Sequence, residues 1–564
     1  MISLTDKHAG VLVPLFALRS PTDYGCGDIA ALRRFVDWAA AHGFRLVQLL
    51  PVNETGGDNS PYNAISSVAI EPTTIDPHSI PDLTPGEIAE IAARHNVAHN
   101  AVQWAPVKAL RQDFLRRAFA NFCVQSWGRN DERAKAFAAF ARDEAAWLEG
   151  YALFRVLMAR HGTESWDTWP EDVRTFADGE RWMESLRPGH RDAFDHELRF
   201  ICYVQWQAFE QWRAMKRYAE ERGVALMGDI PFGVNYSSAD VWAAPALFDL
   251  KWSGGAPPEP AFMGDEFVRR WGQNWGVPLY AWPAHRADHF AWWRQRVRKV
   301  AEAFHLFRID HVLGFYRIYG FPWRPQRNAE FATLSPEEAR SRTGGELPRF
   351  HDHDDDTPEH RALNRAQGEE FLRVLQAEVG PGALVGEDLG TVPEYIRPSL
   401  LSLEIPGFKV PHWEKEHDGP LTVGSEYPRC SIATYATHDH DPLRVMWDNW
   451  MSTIQAALAE PERLSAENEK AWREVRAFAG WAGFHVPRIL PFDEVHELLL
   501  AGLFRSNSSV AIAMITDVLG TADRFNVPGS VTAENWSARL PIGWESAFES
   551  KARRVAKLFA EAGR

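Results

Sequence analysis

Cysteine is nearly missing from this chain of 564 residues: Cys26, Cys123, Cys202 and Cys430 stand far apart, without metal-like spacing. That argues against a disulfide framework and a cysteine metal site, and predicts reduced, structural thiols in a cytoplasm. Long apolar runs are missing too; none approaches the roughly 20 residues a membrane-crossing helix needs. The early apolar stretch Gly10–Leu18 is short, broken by Pro14 and followed by Arg19 rather than by a small-residue cleavage site. It reads as the first strand of the fold, not as a secretion signal. Positive charge is also in short supply, with 61 Lys and Arg against 76 Asp and Glu and a net charge of -15. Nucleic acid is therefore not expected as a partner, because a phosphate backbone wants basic patches. No internal repeat or low-complexity linker divides the chain.

What the chain has in quantity is aromatic residues, 24 of them Trp. Most serve as core, and the remainder are available as flat platforms for sugar rings. More telling are four strand-like runs that each deliver a carboxylate: VALMGD ending at Asp229, FHLFRID ending at Asp310, GALVGED carrying Glu387, and CSIATYATHD ending at Asp439. Each is too short and too rich in apolar residues for an amphipathic helix, and each meets a Gly/Pro-punctuated loop. In a parallel β/α barrel such strand ends open onto one face, so acids more than a hundred positions apart converge on one cleft.

The predicted fold is a (β/α)8 barrel with largely helical insertions, a single catalytic unit spanning residues 1–564. It opens with a strand at Val11–Phe16, a helix at Ile29–His42 and a strand at Arg45–Leu50. From about Asp82 to Gln211 the pattern turns helical, with amphipathic segments such as Lys108–Phe122 and Glu132–Leu153. Strands and helices alternate again from Val224, through His305–Asp310, Glu369–Val379, Ala383–Asp388, Phe408–Pro411, Ser431–Thr437 and Val510–Thr516. Trp544–Ala562 closes as a helix. The His/Asp-rich segment Phe350–Asp356 lies between Gly344-Gly345 and Pro358, and reads as a solvated loop rather than a metal site.

A pair of carboxyl groups suits glycosidic bond cleavage, one as nucleophile and one as proton donor. Arg308 beside Asp310 is expected to keep that carboxylate ionised. Asp388, next to Glu387, is expected to raise the Glu387 pKa as an acid/base requires. Motif chemistry of this kind does not separate a transferase from a hydrolase or from an inactive glucan-binding relative.

Several motifs stand in order along the chain: AGVLVPLFALRS with YGCGD; LLPVNET with SPYNAIS; GDIPFGVNYSSADVW; GAPPEPAF and GQNWGVPLYAW; FRIDHVLGFYRI; VGEDLGTVP; ATHD; and RFNVPGS with ENW. With these the chain resembles the 4-α-glucanotransferases (amylomaltases, or disproportionating enzymes) of the α-amylase clan. The resemblance implies transfer of α-1,4-glucan segments between maltooligosaccharide donors and acceptors by a retaining double displacement, with no cofactor and no metal. It implies Asp310 as nucleophile, Glu387 as acid/base and Asp439 as a third carboxylate gripping sugar hydroxyls. Arg308, His311 and His438 match positions that bind the sugar at the point of scission, and Asp229 the acidic position of the first clan motif. Tyr62 and Trp275 match aromatic positions lining the glucan groove, and their Gly-rich surroundings suggest loops that present rings to solvent. Two departures border the sugar surface. Leu313 stands where many members have Arg, and Ala436 to His440 read ATHDH where many read GTHDN. The opening motif is similar to the branch acting on branched glycans or heteroglycans, yet no separate starch-binding domain is expected.

Overall fold

A computed structural model describes residues 5–98, 100–258, 265–415, 420–459, 466–528, 532 and 534–564. Residues 259–262 of the GAPPEPAF motif and 529–530 of RFNVPGS lie outside the described residues. The strands in chain order are β1 (His8–Leu12), β2 (Leu46–Gln48), β3 (Ala225–Pro231), β4 (Phe248–Ala256), β5 (Gln273–Tyr280), β6 (Leu306–Asp310), β7 (Ile318–Phe321), β8 (Arg349–His351), β9 (Leu384–Gly386), β10 (Gly407–Lys409), β11 (Ser431–Thr434) and β12 (Val510–Met514).

Eight strands form one parallel sheet in the order β10-β11-β12-β1-β2-β3-β6-β9. The two ends of that order meet, because the Gly386 N–H donates to Pro406 O at 3.0 Å. The Asp388 carboxylate adds a second stitch across this seam, accepting the Phe408 N–H at 2.6 Å. A Cβ on Gly407 would stand 2.7 Å from that carboxylate, which is why the seam has glycine there. The barrel is thus a (β/α)8 barrel, filled by side chains such as Leu12, Met227, Leu306, Val385, Phe408 and Ile432.

Most of the expected elements are present, some shortened. Ile29–Ala41 is a helix whose N-cap, Asp28, accepts the Ala31 N–H. Six helices run between Pro85 and Glu221, the last of them 34 residues long. The segment expected as one helix from Glu132 to Leu153 is two, meeting at Glu144. The buried Glu144 carboxylate accepts from the Trp147 indole at 2.6 Å and from Lys299 at 2.5 Å, and these contacts fix the break.

One layer escaped the sequence. Strands β4, β5, β7 and β8 form an antiparallel sheet in the order β5-β4-β7-β8. It is built from the chain that follows β3 and β6, with its own apolar cluster of Trp271, Phe321, Trp323, Phe331 and Ala339. Gly254-Gly255, Gly276 and Pro278 lie inside strands β4 and β5. A Cβ at Gly255 would sit 1.9 Å from Gln273 O, so close cross-strand approach demands the glycine. Phe350 and His351 of the expected solvated loop belong to β8, an edge strand of this sheet. Among the described residues no group of His, Cys, Asp and Glu could hold a metal ion, and no helix is long and apolar enough to cross a membrane.

Candidate active site

The parallel register levels the acids with one another. Asp229 on β3 pairs with Arg308 on β6, and Pro231 with Asp310. Ile309 pairs with Gly386 on β9, so Asp310 and Glu387 leave their strands at one height. Arg308 is the hub. Its Nη1 donates to both Asp229 oxygens, at 2.9 and 2.7 Å, while Nη2 lies 2.7 Å from Asp310 Oδ1. Burial pushes the Asp229 carboxyl up against the pull of Arg308. The Asp310 side chain keeps 32% of its surface open, so the hub holds one carboxylate in the wall and offers the other to the cleft.

Glu387 is held differently. It follows β9 directly and is 8% exposed. One of its oxygens accepts the His311 N–H at 2.8 Å and the other the Leu389 N–H at 3.0 Å. Burial raises its pKa strongly; Arg308 opposes this, and the Asp310 charge adds to the rise. Asp388 raises it too, as expected, but less than Asp310 does. Its carboxylate turns away to the seam and to Arg397 Nε at 3.1 Å. His311, in the left-handed region at φ 49°, delivers the backbone N–H to Glu387. Its ring meets Trp275 edge-on, with centroids 4.8 Å apart. Burial pushes the His311 imidazole down to about 4, so it is neutral around pH 7.

Asp439 does not end a strand as expected: β11 stops at Thr434, and Asp439 lies five residues beyond in the following loop. Its carboxylate lies 3.3 Å from His438 Nε2 and accepts the Asn526 amide at 2.6 Å. Burial pushes this group up, but His438, Asn526 and Arg308 outweigh it and leave it well below the usual carboxylate range. Arg524 steadies the loop by donating to Asp439 O at 2.8 Å and to Asp441 at 2.5 Å.

Tyr62 and Trp275 both reach this cluster, with settings that differ from the expected solvent-facing loops. The Tyr62 ring stacks on His438, centroids 4.9 Å apart and planes 10° apart, and its hydroxyl donates to Asp229 at 2.6 Å. One ring face is therefore already covered by protein. Trp275 is on strand β5, with 40% of its surface open. The nine candidate residues form two contact groups, Tyr62, Asp229, Arg308, Asp310, His438 and Asp439 in one and His311, Glu387 and Trp275 in the other, joined through the Asp310–His311 peptide bond. Asn526 and Arg524 were not picked out from the sequence as site residues; both lie in the RFN motif, which was visible without a role.

The family model described as 4-alpha-glucanotransferase matches residues 13–544. The 4-alpha-glucanotransferase of Chlamydia caviae is 29% identical over 96% of this chain and 91% of its own. That of Thermus thermophilus is 28% identical over 93% of each chain. Among solved structures, the amylomaltase from Streptococcus agalactiae in complex with acarbose has a TM-score of 0.75 at 21% identity, covering 99% of this chain and 100% of that one, a likeness of fold. With a family match that spans most of the chain and covers every one of the nine candidate site residues, the chain belongs to the 4-alpha-glucanotransferase family, glycoside hydrolase family 77.

Proposed function

We propose that this chain, as one catalytic unit, transfers α-1,4-glucan segments between maltooligosaccharide donors and acceptors by a retaining double displacement. The observation that supports it is the pairing of one open carboxylate, Asp310, held by Arg308, with a buried, raised Glu387 across the same cleft. Asp310 attacks the anomeric carbon while Glu387 gives its proton to the departing O4. A β-glycosyl ester on Asp310 results. Glu387, now a carboxylate, takes the proton from the 4-OH of an incoming sugar, and the ester opens with net retention.

Arg308 orients Asp310 for its task, its Nη2 2.7 Å from Asp310 Oδ1. The two backbone N–H groups on Glu387 leave each of its oxygens a second lone pair, so one can carry the transferred proton. Asp439, kept ionised by His438 and Asn526, accepts hydroxyls of the sugar at the scissile bond and favours its positively charged transition state. Tyr62 walls that sugar from the side of Asp229, and Trp275 and His311 line its other flank. Four unpaired cysteines fit a reducing cytoplasm.

Incubation with maltotriose tests the reading. Longer maltodextrins together with glucose, at nearly constant total reducing ends, are expected. Reducing ends that rise in step with substrate loss would mean hydrolysis and overturn transfer.

A further inference from the structure

The mechanism leaves one deeply buried carboxylate without a task. Asp517 sits three residues past β12, the strand paired with the one that leads to Asp439. Burial pushes its carboxyl up to about 7, and only the backbone N–H groups of Leu443 and Met514 pull it back. No cation pairs with it among the described residues. Burying an acid without a counter-charge opposes folding, so packing alone does not account for it. Asp517 lies in the first turn of the five-residue helix Ile515–Leu519, where a carboxylate favours the helix terminus. That accounts for Met514 but not for the second bond, in which Asp517 Oδ1 accepts the Leu443 N–H at 2.7 Å. Leu443 opens the helix Leu443–Ala459 and lies four residues past Asp439. Asp441-Pro442 stands between them. Proline fixes its own φ and restricts the residue before it, so this link carries the position of Leu443 towards Asp439. The segment after β12 grips the same loop elsewhere: Gly520 O accepts from Arg444 Nε at 2.7 Å, and Arg524 and Asn526 hold Asp439 itself. Asp517 is the deepest of these grips, 1% exposed against 8% for Asn526.

We infer that Asp517 is a positioning residue for Asp439: it ties the far end of the Asp439 loop to the end of β12, so that the carboxylate beside the scissile bond stays on His438 and Asn526. The inference rests on the role given to Asp439 in the double displacement above. The loop has two ends. Its near end is fixed where β11 stops, at Thr434, which pairs with Ile512 on β12. Its far end is fixed by the bond from Leu443 to Asp517, three residues beyond the same strand. Both ends are thus set against β12, and the acid between them takes its place from that one reference. Among the described residues, Asp517 makes no hydrogen bond or ion pair to any of the nine candidate site residues, so its influence passes through the loop.

A double-mutant cycle on the full chain tests this, with α-maltosyl fluoride as donor, maltose as acceptor and fluoride release as the signal. Asp517→Ala should lower kcat about 10- to 100-fold, the scale of a catalytic group displaced by about 1 Å, and change KM by less than about 3-fold. Asp439→Asn supplies the second arm. In that background Asp517→Ala should cost less than about 2-fold, because the group it positions is already disabled. A role in stability alone would give equal losses in both backgrounds, with folding confirmed by circular dichroism. Equal losses therefore overturn the assignment, as does an unchanged kcat in a folded Asp517→Ala protein. If Asp517→Ala does not fold, Asp517→Asn is read by the same two criteria. It keeps the volume and gives up one acceptor oxygen, so its kcat loss should be about 3- to 10-fold. Reducing ends that rise with maltotriose would overturn the transfer reading alone, since fluoride release comes before the choice between sugar and water.

Discussion

Replacing Glu387 by Gln is the usual way to remove an acid while keeping its shape, but the structure shows that it is not isosteric in hydrogen bonding. Both Glu387 oxygens accept backbone N–H groups, from His311 at 2.8 Å and from Leu389 at 3.0 Å. A protonated carboxyl can still accept both, because the OH oxygen keeps a lone pair. A Gln amide cannot: its NH2 would face one of those N–H groups. One buried donor is left without a partner, at a cost of about 1–3 kcal/mol. Across a chain of this size that is a fall of about 1–3 °C in Tm. Loss of the acid itself should slow glycosylation by maltotriose about 10²- to 10⁴-fold.

The assay is pre-steady-state glycosylation with two donors. Fluoride needs little protonation to depart, so α-maltosyl fluoride should lose no more than about 10-fold, the part caused by the displaced His311–Leu389 loop. The pH profile gives an independent check. Glu387 acts when protonated, and burial has raised its pKa. The acid form is therefore full below that raised value and is lost as pH rises through it, giving the basic limb. Glu387→Gln should erase this limb for maltotriose. Equal loss on both donors, or a surviving basic limb, refutes the acid role.

Asp310→Asn should lower kcat by several orders of magnitude with no trapped glycosyl ester; near-normal turnover by a folded variant would remove its nucleophile role. Tyr62→Phe should cost about 10- to 100-fold in kcat/KM, because it deletes a 2.6 Å hydrogen bond to the buried Asp229 carboxylate; a change under twofold would leave Tyr62 as packing alone. Trp275→Ala should lower the ratio of transfer to hydrolysis, read from the product mixture, since its open ring flanks His311 at 4.8 Å; an unchanged ratio would make it groove wall. Asn526→Ala removes a 2.6 Å donor from Asp439, so the Asp439 pKa should rise. The acidic limb of activity should then move to higher pH, as protonation begins earlier on acidification, and an unmoved limb would deny Asp439 an ionised role.

The barrel was legible because its strands carry short apolar runs with acids at their ends, a signal that survives without context. The helical region was legible from amphipathic spacing. The four-stranded sheet was not, because strand geometry there depends on partners: Gly255 is required by the approach of Gln273 O, which no local propensity announces. The site showed the same limit. Asp229, Asp310, Glu387 and Asp439 could be found from strand-like runs, although Asp439 lies in the loop beyond its strand, and the family motifs added His438. Asn526 had nothing to give it a role, since its part comes from a residue distant in sequence, the Asp439 carboxylate 2.6 Å away.

The first electrostatic expectation follows from the alternation of side chains in a strand. Arg308 and Asp310 are two apart, so they share a face, and the inference that Arg308 holds Asp310 agrees with their 2.7 Å contact. Glu387 and Asp388 are one apart just beyond β9, and the Asp388 carboxylate turns to the seam and to Arg397, so it adds to the raised Glu387, as adjacency suggests, but less than burial and Asp310 do. Asp388→Asn discriminates between the two accounts. It weakens the link to Arg397 while its Oδ1 can still accept the Phe408 N–H, so urea unfolding should show a loss of about 1–3 kcal/mol. If burial and Asp310 set the acid, the basic limb of the pH profile should move by well under one unit. A downward move of a unit or more would mean that Asp388 sets it after all. The seam and the acid are thus separable functions of two neighbouring carboxylates, one facing the barrel closure and the other the substrate.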